Sequence, residues 1–436
     1  MRPAPRSWFG LLSAALLTVV GCSRESSSGP PSSSSVSPEP SAVSSSPAAL
    51  GRGDPFRGAA LLAQYECSRC HEGNDPAVVE GGPPFPVPPR ATDDKHCFRC
   101  HQAVLQGIKK ASKPAVTSRW KDNVAHLRDV PTLVQVGKRF RRGWIERFLL
   151  EPHDLRPRLE PTMPRLALTP EQARDLAAYY AGEDSDAAVE APAGSNPANG
   201  AKLLNTKGCG SCHVFSGAPP LAGAAPVRPG ATGLTPAMTL APDLRFARDR
   251  LRPGALVAWL KSPKAMKPDT VMPETGLNDA EARDMAAYIL TVPLAAIEPP
   301  RVPERLPVLS RAVSYDEVSR KVFRKTCWHC HSEPDYAIGD GGPGNTGGFG
   351  FRPRGLNLAQ YDGIASGSLD DQGERRSVFE AMSDGPRMLS VLLSRQHEEA
   401  GQSSRAVTRG MPLGLPALSP ADIQLVETWI AQGRPR

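Results

Sequence analysis

Eight of the nine cysteines are arranged in four pairs that share one spacing. In each pair two residues separate the cysteines, and a histidine follows the second cysteine directly. The motifs are Cys67, Cys70 and His71; Cys97, Cys100 and His101; Cys209, Cys212 and His213; and Cys327, Cys330 and His331. This pattern is typical of c-type haem attachment, because the two thiols lie on one helical turn and reach the two vinyl groups, while the histidine binds the iron. The sequence therefore predicts four covalently bound haem c groups with these histidines as proximal ligands.

Three other uses of paired cysteines share the same spacing. Zinc sites, thioredoxin-like redox pairs and disulfide bridges all employ two cysteines separated by two residues. None of them requires the histidine that follows every pair here. The repeated histidine therefore favours haem attachment over these alternatives.

An internal repeat surrounds two of the motifs. Residues 58–62 (Gly-Ala-Ala-Leu-Leu) and 200–204 (Gly-Ala-Lys-Leu-Leu) each begin nine residues before the first cysteine of a motif. Further on, the residues Pro131, Gly143, Phe148, Leu149 and Pro152 correspond to Pro242, Gly254, Trp259, Leu260 and Pro263. The repeat predicts two related helical units, each with a short helix leading into its motif.

Both units end in the same order of residues. Met163-Pro164 and Met272-Pro273 are each followed six residues later by a helix-capping pattern, at Thr169 and Asn278. Apolar residues then recur at intervals of three to four, namely Leu176, Ala177 and Tyr180 in the first unit and Met285, Ala286 and Ile289 in the second. This spacing predicts an amphipathic closing helix in each unit.

The order of helix, Cys-x-x-Cys-His, proline-rich loop, Met-Pro and closing helix resembles class I cytochrome c. The resemblance covers roughly residues 54–182 and 197–292. It implies that the closing helix crosses the first one, that Met163 and Met272 bind the iron opposite the histidine, and that the carbonyls of Pro131 and Pro242 orient that histidine. Histidine and methionine ligation gives a higher reduction potential than two histidines.

The C-terminal region, residues 315–436, is similar to cytochrome c domains of large environmental bacterial oxidoreductases. It places Met411-Pro412 80 residues after His331 and then starts a helix at Ser419. Met411 is the predicted ligand here. Met382 and Met388 lie in the same region and are the competing candidates, since core packing is the commonest use of any methionine. Met266 and Met285, which fit core or loop positions, are interpreted as packing residues.

The motif at Cys97 lies in an insertion of roughly residues 73–130 that the second unit lacks. Within it, His126 is the predicted distal ligand, because His96 adjoins its own attachment cysteine. Spacing alone would pair Met163 with the haem of His101. Met163 follows His101 by 62 residues, close to the 59 residues from His213 to Met272, whereas it follows His71 by 92. The helix register instead assigns Met163 to the haem of His71. His153 is a weaker candidate than His126 for the distal ligand of this haem, because lone histidines near a site are more often structural.

The N-terminus predicts export. Arg2 and Arg6 precede an apolar run that ends in Val-Val-Gly-Cys22, which resembles a lipoprotein box whose cysteine is acylated. An ordinary secretory peptide is the alternative. Residues 1–21 are thus expected to be removed, residues 22–50 to form a disordered Ser/Pro-rich tether, and the protein to be lipid-anchored to the cell envelope, facing the periplasm or the outside.

Composition limits the fold class. The 436 residues include 46 prolines and 39 glycines, so we expect much loop and linker between modest helical cores and no large parallel sheet. The resemblance to class I cytochrome c implies a mainly α protein of tandem cytochrome c domains joined by Pro-rich linkers. The expected domains are a di-haem unit (51–182) and two mono-haem units (197–292 and 312–436). The formal charge of +7 comes without a clustered basic stripe, and aromatic residues are only 6%, so nucleic-acid binding is not expected.

Two functional classes agree with these motifs. The first is a tetrahaem electron carrier that serves membrane or periplasmic redox proteins and takes no small-molecule substrate. The second is a haem enzyme, resembling a di-haem peroxidase, in which one iron keeps an open position and the other haems supply electrons. The three Met-Pro motifs and His126 are enough to give each of the four irons a second protein ligand, which favours the electron carrier. A haem-based sensor is less favoured, because no signalling domain remains outside the haem units.

Overall fold

The computed structural model describes residues 51–71, 130–153, 155–159, 163–182, 189–224, 233–298, 300–328, 330–332, 345, 349–402 and 409–436. The predictions made for the signal peptide, the tether, Cys22, Cys97, Cys100, His101 and His126 lie outside these residues. Within the described part, helices predominate and the strands are only two residues long, so the protein is mainly α.

The first repeat, residues 51–182, contains four described helices. They are α1 (Pro55–Gln64), α2 (Val136–Arg139), α3 (Arg142–Leu150) and α4 (Pro170–Ala181). Helix α4 begins where the sequence predicts, because the Thr169 hydroxyl accepts from the Gln172 N–H and the Gln172 side chain accepts from the Thr169 N–H. Its Leu176 and Ala177 are fully buried, as expected for the inner face of an amphipathic helix.

The second repeat, residues 197–292, contains the four corresponding helices and two short additional ones. They are α5 (Pro197–Thr206), α6 (Pro236–Leu240), α7 (Ala247–Arg250), α8 (Pro253–Lys261), α9 (Pro263–Met266) and α10 (Asp279–Thr291). The predicted cap at Asn278 is present, with Glu281 completing the reciprocal pair of hydrogen bonds. Met285 is 1% exposed in the core of this repeat, which confirms its interpretation as a packing residue.

The first and closing helices of each repeat cross at a glycine. A Cβ added to Gly58 of α1 would lie 2.2 Å from the Asp175 carbonyl oxygen, and one added to Gly200 of α5 would lie 2.1 Å from that of Asp284. The carboxylates of these two aspartates also accept hydrogen bonds from the backbone N–H groups of Asp54 (2.7 Å) and Asn196 (2.6 Å). The helices therefore touch backbone to backbone, which fixes the attachment motif at the end of the first helix against the closing helix.

The C-terminal segment, residues 312–436, is built around Trp429. Its elements are α11 (Tyr315–Val318), a π-type helix (Ser319–Cys327), α12 (Tyr361–Ala365), the hairpin strands β1 (Ser368–Leu369) and β2 (Arg375–Arg376), the pair β3 (Ala381–Met382) and β4 (Gly385–Pro386), α13 (Arg387–Glu399) and α14 (Pro420–Ala431). Trp429 is fully buried, and the rings of Tyr315, Phe323, Tyr361 and Phe379 surround it at 5.9–6.3 Å. Met388, a competing candidate for the ligand, is 7% exposed and packs within the same core.

Residues 51–436 belong to one compact unit. Among the helices that the structure describes, none is both long and apolar enough to cross a membrane.

Candidate haem-binding sites

Each of the three described attachment motifs closes a single turn of backbone. The N–H groups of His71, His213 and His331 donate to the carbonyls of Cys67, Cys209 and Cys327 at 3.0, 2.9 and 3.0 Å. The second cysteine of each motif donates to the same carbonyl, at 3.2–3.3 Å. Both thiols and the histidine of a motif are therefore carried on one turn, as attachment to a single porphyrin edge requires.

The proximal histidines of the two repeats are oriented by a proline carbonyl. His71 Nδ1 lies 2.7 Å from the Pro131 oxygen, and His213 Nδ1 lies 2.9 Å from the Pro242 oxygen. A carbonyl can only accept, so each Nδ1 carries the proton and each Nε2 keeps its lone pair. This tautomer is the one that binds a metal through Nε2, and the hydrogen bond raises the basicity of the ligand.

Burial favours the neutral form of two motif histidines, His213 and His331, and the protonated form of the Cys67 and Cys327 thiols. It lowers the pKa of His213, and it lowers that of His331 to about 4 although the Leu356 carbonyl opposes the change. Burial also raises the pKa values of Cys67 and Cys327 to about 12. Protonated thiols at neutral pH are unlike the activated thiolates of redox-active cysteine pairs and zinc sites.

One cavity of about 1830 Å³ contains the sites of both repeats. Its walls include Cys67, Cys70, His71 and Met163 from the first repeat and Cys209, Cys212, His213 and Met272 from the second. This volume is well above the 300–1,000 Å³ of an ordinary small-molecule pocket. The structure therefore brings Met163 into the same cavity as His71 and Met272 into the same cavity as His213.

Met272 has a polar neighbour that the sequence did not identify. The indole Nε1 of Trp259, on α8, donates to the Met272 sulfur at 3.0 Å. The aligned residue in the first repeat is Phe148, which has no such donor. The two methionine sulfurs therefore have different surroundings.

The C-terminal site is assembled differently. Cys327 of the attachment motif and the predicted ligand Met411 both pack against the core around Trp429. Arg395, 3% exposed on α13, donates to the carbonyls of Pro412 (3.0 Å) and Leu415 (2.9 Å) and so holds the loop that carries Met411. The buried His331 Nδ1 makes no hydrogen bond within the described part of the chain.

The two repeats contact each other through equivalent residues. Phe140 and Leu251 form an antiparallel bridge, in which the Arg141 N–H donates to the Arg250 carbonyl at 2.8 Å and the Arg252 N–H donates to the Arg139 carbonyl at 3.0 Å. Phe140 and Leu251 have the same 111-residue offset as Pro131 and Pro242, and so do the flanking residues Arg139 with Arg250 and Arg141 with Arg252. Such reciprocal pairing is the mark of an approximate two-fold relation.

The loop before Met163 extends this contact to the second attachment motif. Arg158, 2% exposed, donates to the carbonyl of Cys212, and the Asp243 N–H donates to the Leu155 carbonyl at 2.8 Å. The ring of His153 lies 5.0 Å from that of Phe246. His153 therefore lies at the contact between the repeats, a position that its sequence context did not indicate.

The donor set fits haem better than a bare metal ion. The cavity is lined largely by apolar side chains, as a porphyrin requires, and each repeat contributes two thiols on one turn and an oriented imidazole. Among the described residues, no group of three or more histidine, cysteine, aspartate or glutamate side chains could hold a metal ion. The six described cysteines are free thiols.

Comparison with known proteins agrees with this chemistry. The family model for cytochrome c matches residues 197–293, which include the second repeat. No curated protein and no solved structure gives a significant match. The family match supports a c-type cytochrome domain with covalently bound haem c, and hence a haem protein of electron transfer.

Proposed function

We propose that this protein is a tetrahaem c-type cytochrome that transfers electrons between redox partners in the bacterial cell envelope. The observation that carries the proposal is the matched pair of hydrogen bonds from His71 to Pro131 and from His213 to Pro242. Each bond prepares an imidazole to bind iron directly beside two thiols. The same attachment turn recurs at His331, and the sequence contains a fourth motif at His101.

Each group of residues has a separate task in this proposal. The cysteine pairs attach the porphyrin, and the neutral imidazoles of the motif histidines hold the iron from one side. Met163, Met272 and Met411 hold it from the other side, and His126 does so at the fourth motif. Haem bound in this way supplies reversible one-electron exchange at iron. With both axial positions taken by the chain, no position is left for a substrate, which favours a carrier over a peroxidase.

The cell-envelope location rests on the N-terminal sequence. The signal-like segment, Cys22 and the Ser/Pro-rich stretch together support lipid anchoring of the mature chain at Cys22. Such an anchor keeps the haem units beside a membrane surface, so the proposed donors and acceptors are membrane or periplasmic redox proteins.

Electron paramagnetic resonance of the oxidised full-length protein tests the proposal. We expect four covalent haems per chain by mass and haem assay, all of them low-spin ferric, with a spectrum that added peroxide leaves unchanged. A variant with Cys97→Ser and Cys100→Ser serves as the matched control and should contain three haems. A high-spin haem that peroxide perturbs would instead support the enzyme, and fewer than four haems in the parent protein would contradict the count.

A further inference from the structure

The loops that carry two of the predicted methionine ligands meet at a single glutamate. Glu398 lies in the last turn of α13 in the C-terminal segment, and its side chain is only 13% exposed. Its Oε1 atom accepts a hydrogen bond of 2.7 Å from the Gly410 N–H, directly before Met411. Its Oε2 atom lies 3.6 Å from Nη1 of Arg165, the second residue after Met163. One carboxylate therefore reaches the loop of each methionine.

The Met411 loop lies directly on α13. A Cβ added to Gly410 would lie 2.4 Å from the backbone nitrogen of Arg395, so the loop backbone touches the helix. The Met411 N–H donates to the Val391 carbonyl at 2.9 Å, and the Glu398 carboxylate accepts from the preceding N–H. Because a hydrogen bond to an ionised acceptor is stronger than a neutral one, Glu398 contributes strongly to the backbone position from which Met411 extends.

The loop after Met163 is held by the same part of the C-terminal segment. The Arg165 N–H donates to the Leu413 carbonyl at 3.2 Å, and Arg409 Nη1 donates to the Arg165 carbonyl at 3.1 Å. Glu398 faces the guanidinium of the same arginine. Both the backbone and the side chain of Arg165 are therefore held by the C-terminal segment, two residues from a predicted ligand of the first repeat.

The charges at this contact are buried. Oε2 of Glu398 lies 3.6 Å from Arg165 Nη1 and 3.8 Å from Arg395 Nη1, and none of these three atoms makes a hydrogen bond within the described part of the chain. Arg395 also pairs with Glu399 at 3.0 Å. Removing one partner of a buried ion pair leaves the other charge uncompensated, which is strongly unfavourable. Loss of the Glu398 charge should therefore act on Arg165, across the boundary between the two units.

A single side chain thus joins the two methionine loops. We propose that Glu398 is a positioning residue for both Met163 and Met411, so that methionine ligation in the first repeat depends on a residue of the C-terminal segment. The inference rests on the proposed function, since it takes both methionines as iron ligands. It goes beyond that function by making the ligation of two haems depend on one carboxylate. Since a thioether ligand raises the reduction potential, the same residue helps to keep both potentials high.

Displacement of methionine by added imidazole tests the proposal in the full-length haem protein. The NMR methyl signals of haem-bound methionines, assigned with Met163→Ala and Met411→Ala, report each ligand separately. In Glu398→Ala we expect imidazole to displace both methionines at about tenfold lower concentration, the effect of losing a hydrogen bond to a charged group.

Glu398→Gln separates the two contacts. Glutamine has the same size and keeps an acceptor for the Gly410 N–H, but it removes the charge that faces Arg165. We therefore expect the about tenfold change at Met163 and a smaller change at Met411. This variant tests the contact between the units even where the alanine variant does not fold.

Glu427→Ala is the matched control. Glu427 lies in the same segment with a similar exposure of 17%, and it pairs with Arg305 at 2.5 Å. It does not line the cavity of the two repeats. Its loss removes an ion pair of the same kind, so it should leave the displacement of both methionines unchanged.

Each result decides between alternatives. In Glu398→Ala, a change at Met411 alone would overturn the shared role and confine Glu398 to its own segment, and a change at Met163 alone would overturn its role at Met411. Unchanged displacement in both Glu398 variants, or equal changes in Glu427→Ala, would overturn the positioning role. A parent protein without a haem-bound signal from Met163 or Met411 would overturn the ligand assignment of the proposed function and this inference with it, and that failure is visible before any variant is made.

Discussion

At the scale of single residues, the chemistry depends on imidazoles that are neutral and oriented before any ligand binds. His213 illustrates this, because a proline carbonyl fixes its Nδ1 proton and burial lowers its pKa. The energy of one such hydrogen bond is modest, about 0.5–1.5 kcal/mol. Its main effect is to select the tautomer and the ring orientation.

Replacing His213 by alanine should remove the proximal ligand of one haem while leaving the thiols that attach it. We expect one of the low-spin ferric signals to disappear, with a change in one of the four potentials, measured by electron paramagnetic resonance and redox titration. His397→Ala is the control, because the partly exposed His397 on α13 does not line the cavity of the two repeats and its ring contacts the Gln402 side chain at 2.8 Å. An unchanged spectrum for His213→Ala would count against its assignment as a ligand.

At the scale of elements, the crossing of the first and closing helices gives each repeat its shape. Gly58 and Gly200 have no side chain to separate the helices, and Asp175 and Asp284 join the closing helix to the start of the first one. The glycines were visible in the sequence as a repeated position. The aspartates were not, because their partners lie 121 and 88 residues away along the chain.

Gly58→Ala should destabilise the protein by about 1–3 kcal/mol, because the new methyl group would overlap the Asp175 carbonyl and force the helices apart. Urea unfolding followed by circular dichroism measures this. Gly254→Ala is the matched control, since its Cβ meets no atom within 4 Å in helix α8, and it should gain about 0.5–1 kcal/mol. Equal stability of the two variants would contradict the close crossing.

At the scale of the whole molecule, the first repeat contacts both of the other parts. It pairs with the second repeat at Phe140, and it meets the C-terminal segment where the Arg165 N–H donates to the Leu413 carbonyl at 3.2 Å. Phe349 and Phe351 of the C-terminal segment also pack against the core of the first repeat. The loops that carry Met163 and Met411 are therefore neighbours although the second repeat separates them in sequence.

These contacts should hold the C-terminal segment in place after the chain is cut. A site for a specific protease inserted after the exposed Arg301 should give two fragments that still elute together in size-exclusion chromatography. Phe351→Asp places a charge against the apolar core of the first repeat and should release the C-terminal fragment. Separate elution of the parent fragments would show that the covalent connection alone joins them.

The sequence by itself determined the features that depend on neighbours within a turn or two of helix. These are the attachment turns at Cys67, Cys209 and Cys327, the caps at Thr169, Asn278 and Ser419, and the apolar faces of the closing helices, all of which the described part of the structure contains. The hydrogen bonds of Pro131 and Pro242 were predicted through resemblance to class I cytochrome c, and the structure confirms them. The axial roles of Met163, Met272 and Met411 stay predictions.

Only the tertiary structure decided how the repeats share a cavity. The reciprocal bonds of Arg139 with Arg252 and of Arg141 with Arg250 join residues more than 100 positions apart, and nothing in the local sequence of either partner indicates the other. Local sequence also does not indicate that Arg158 donates to the Cys212 carbonyl, or that Arg395 donates to the Pro412 carbonyl in the loop of Met411. Local spacing encodes what a helical turn can bring together, whereas contacts between residues far apart in the sequence arise only when two folded surfaces meet.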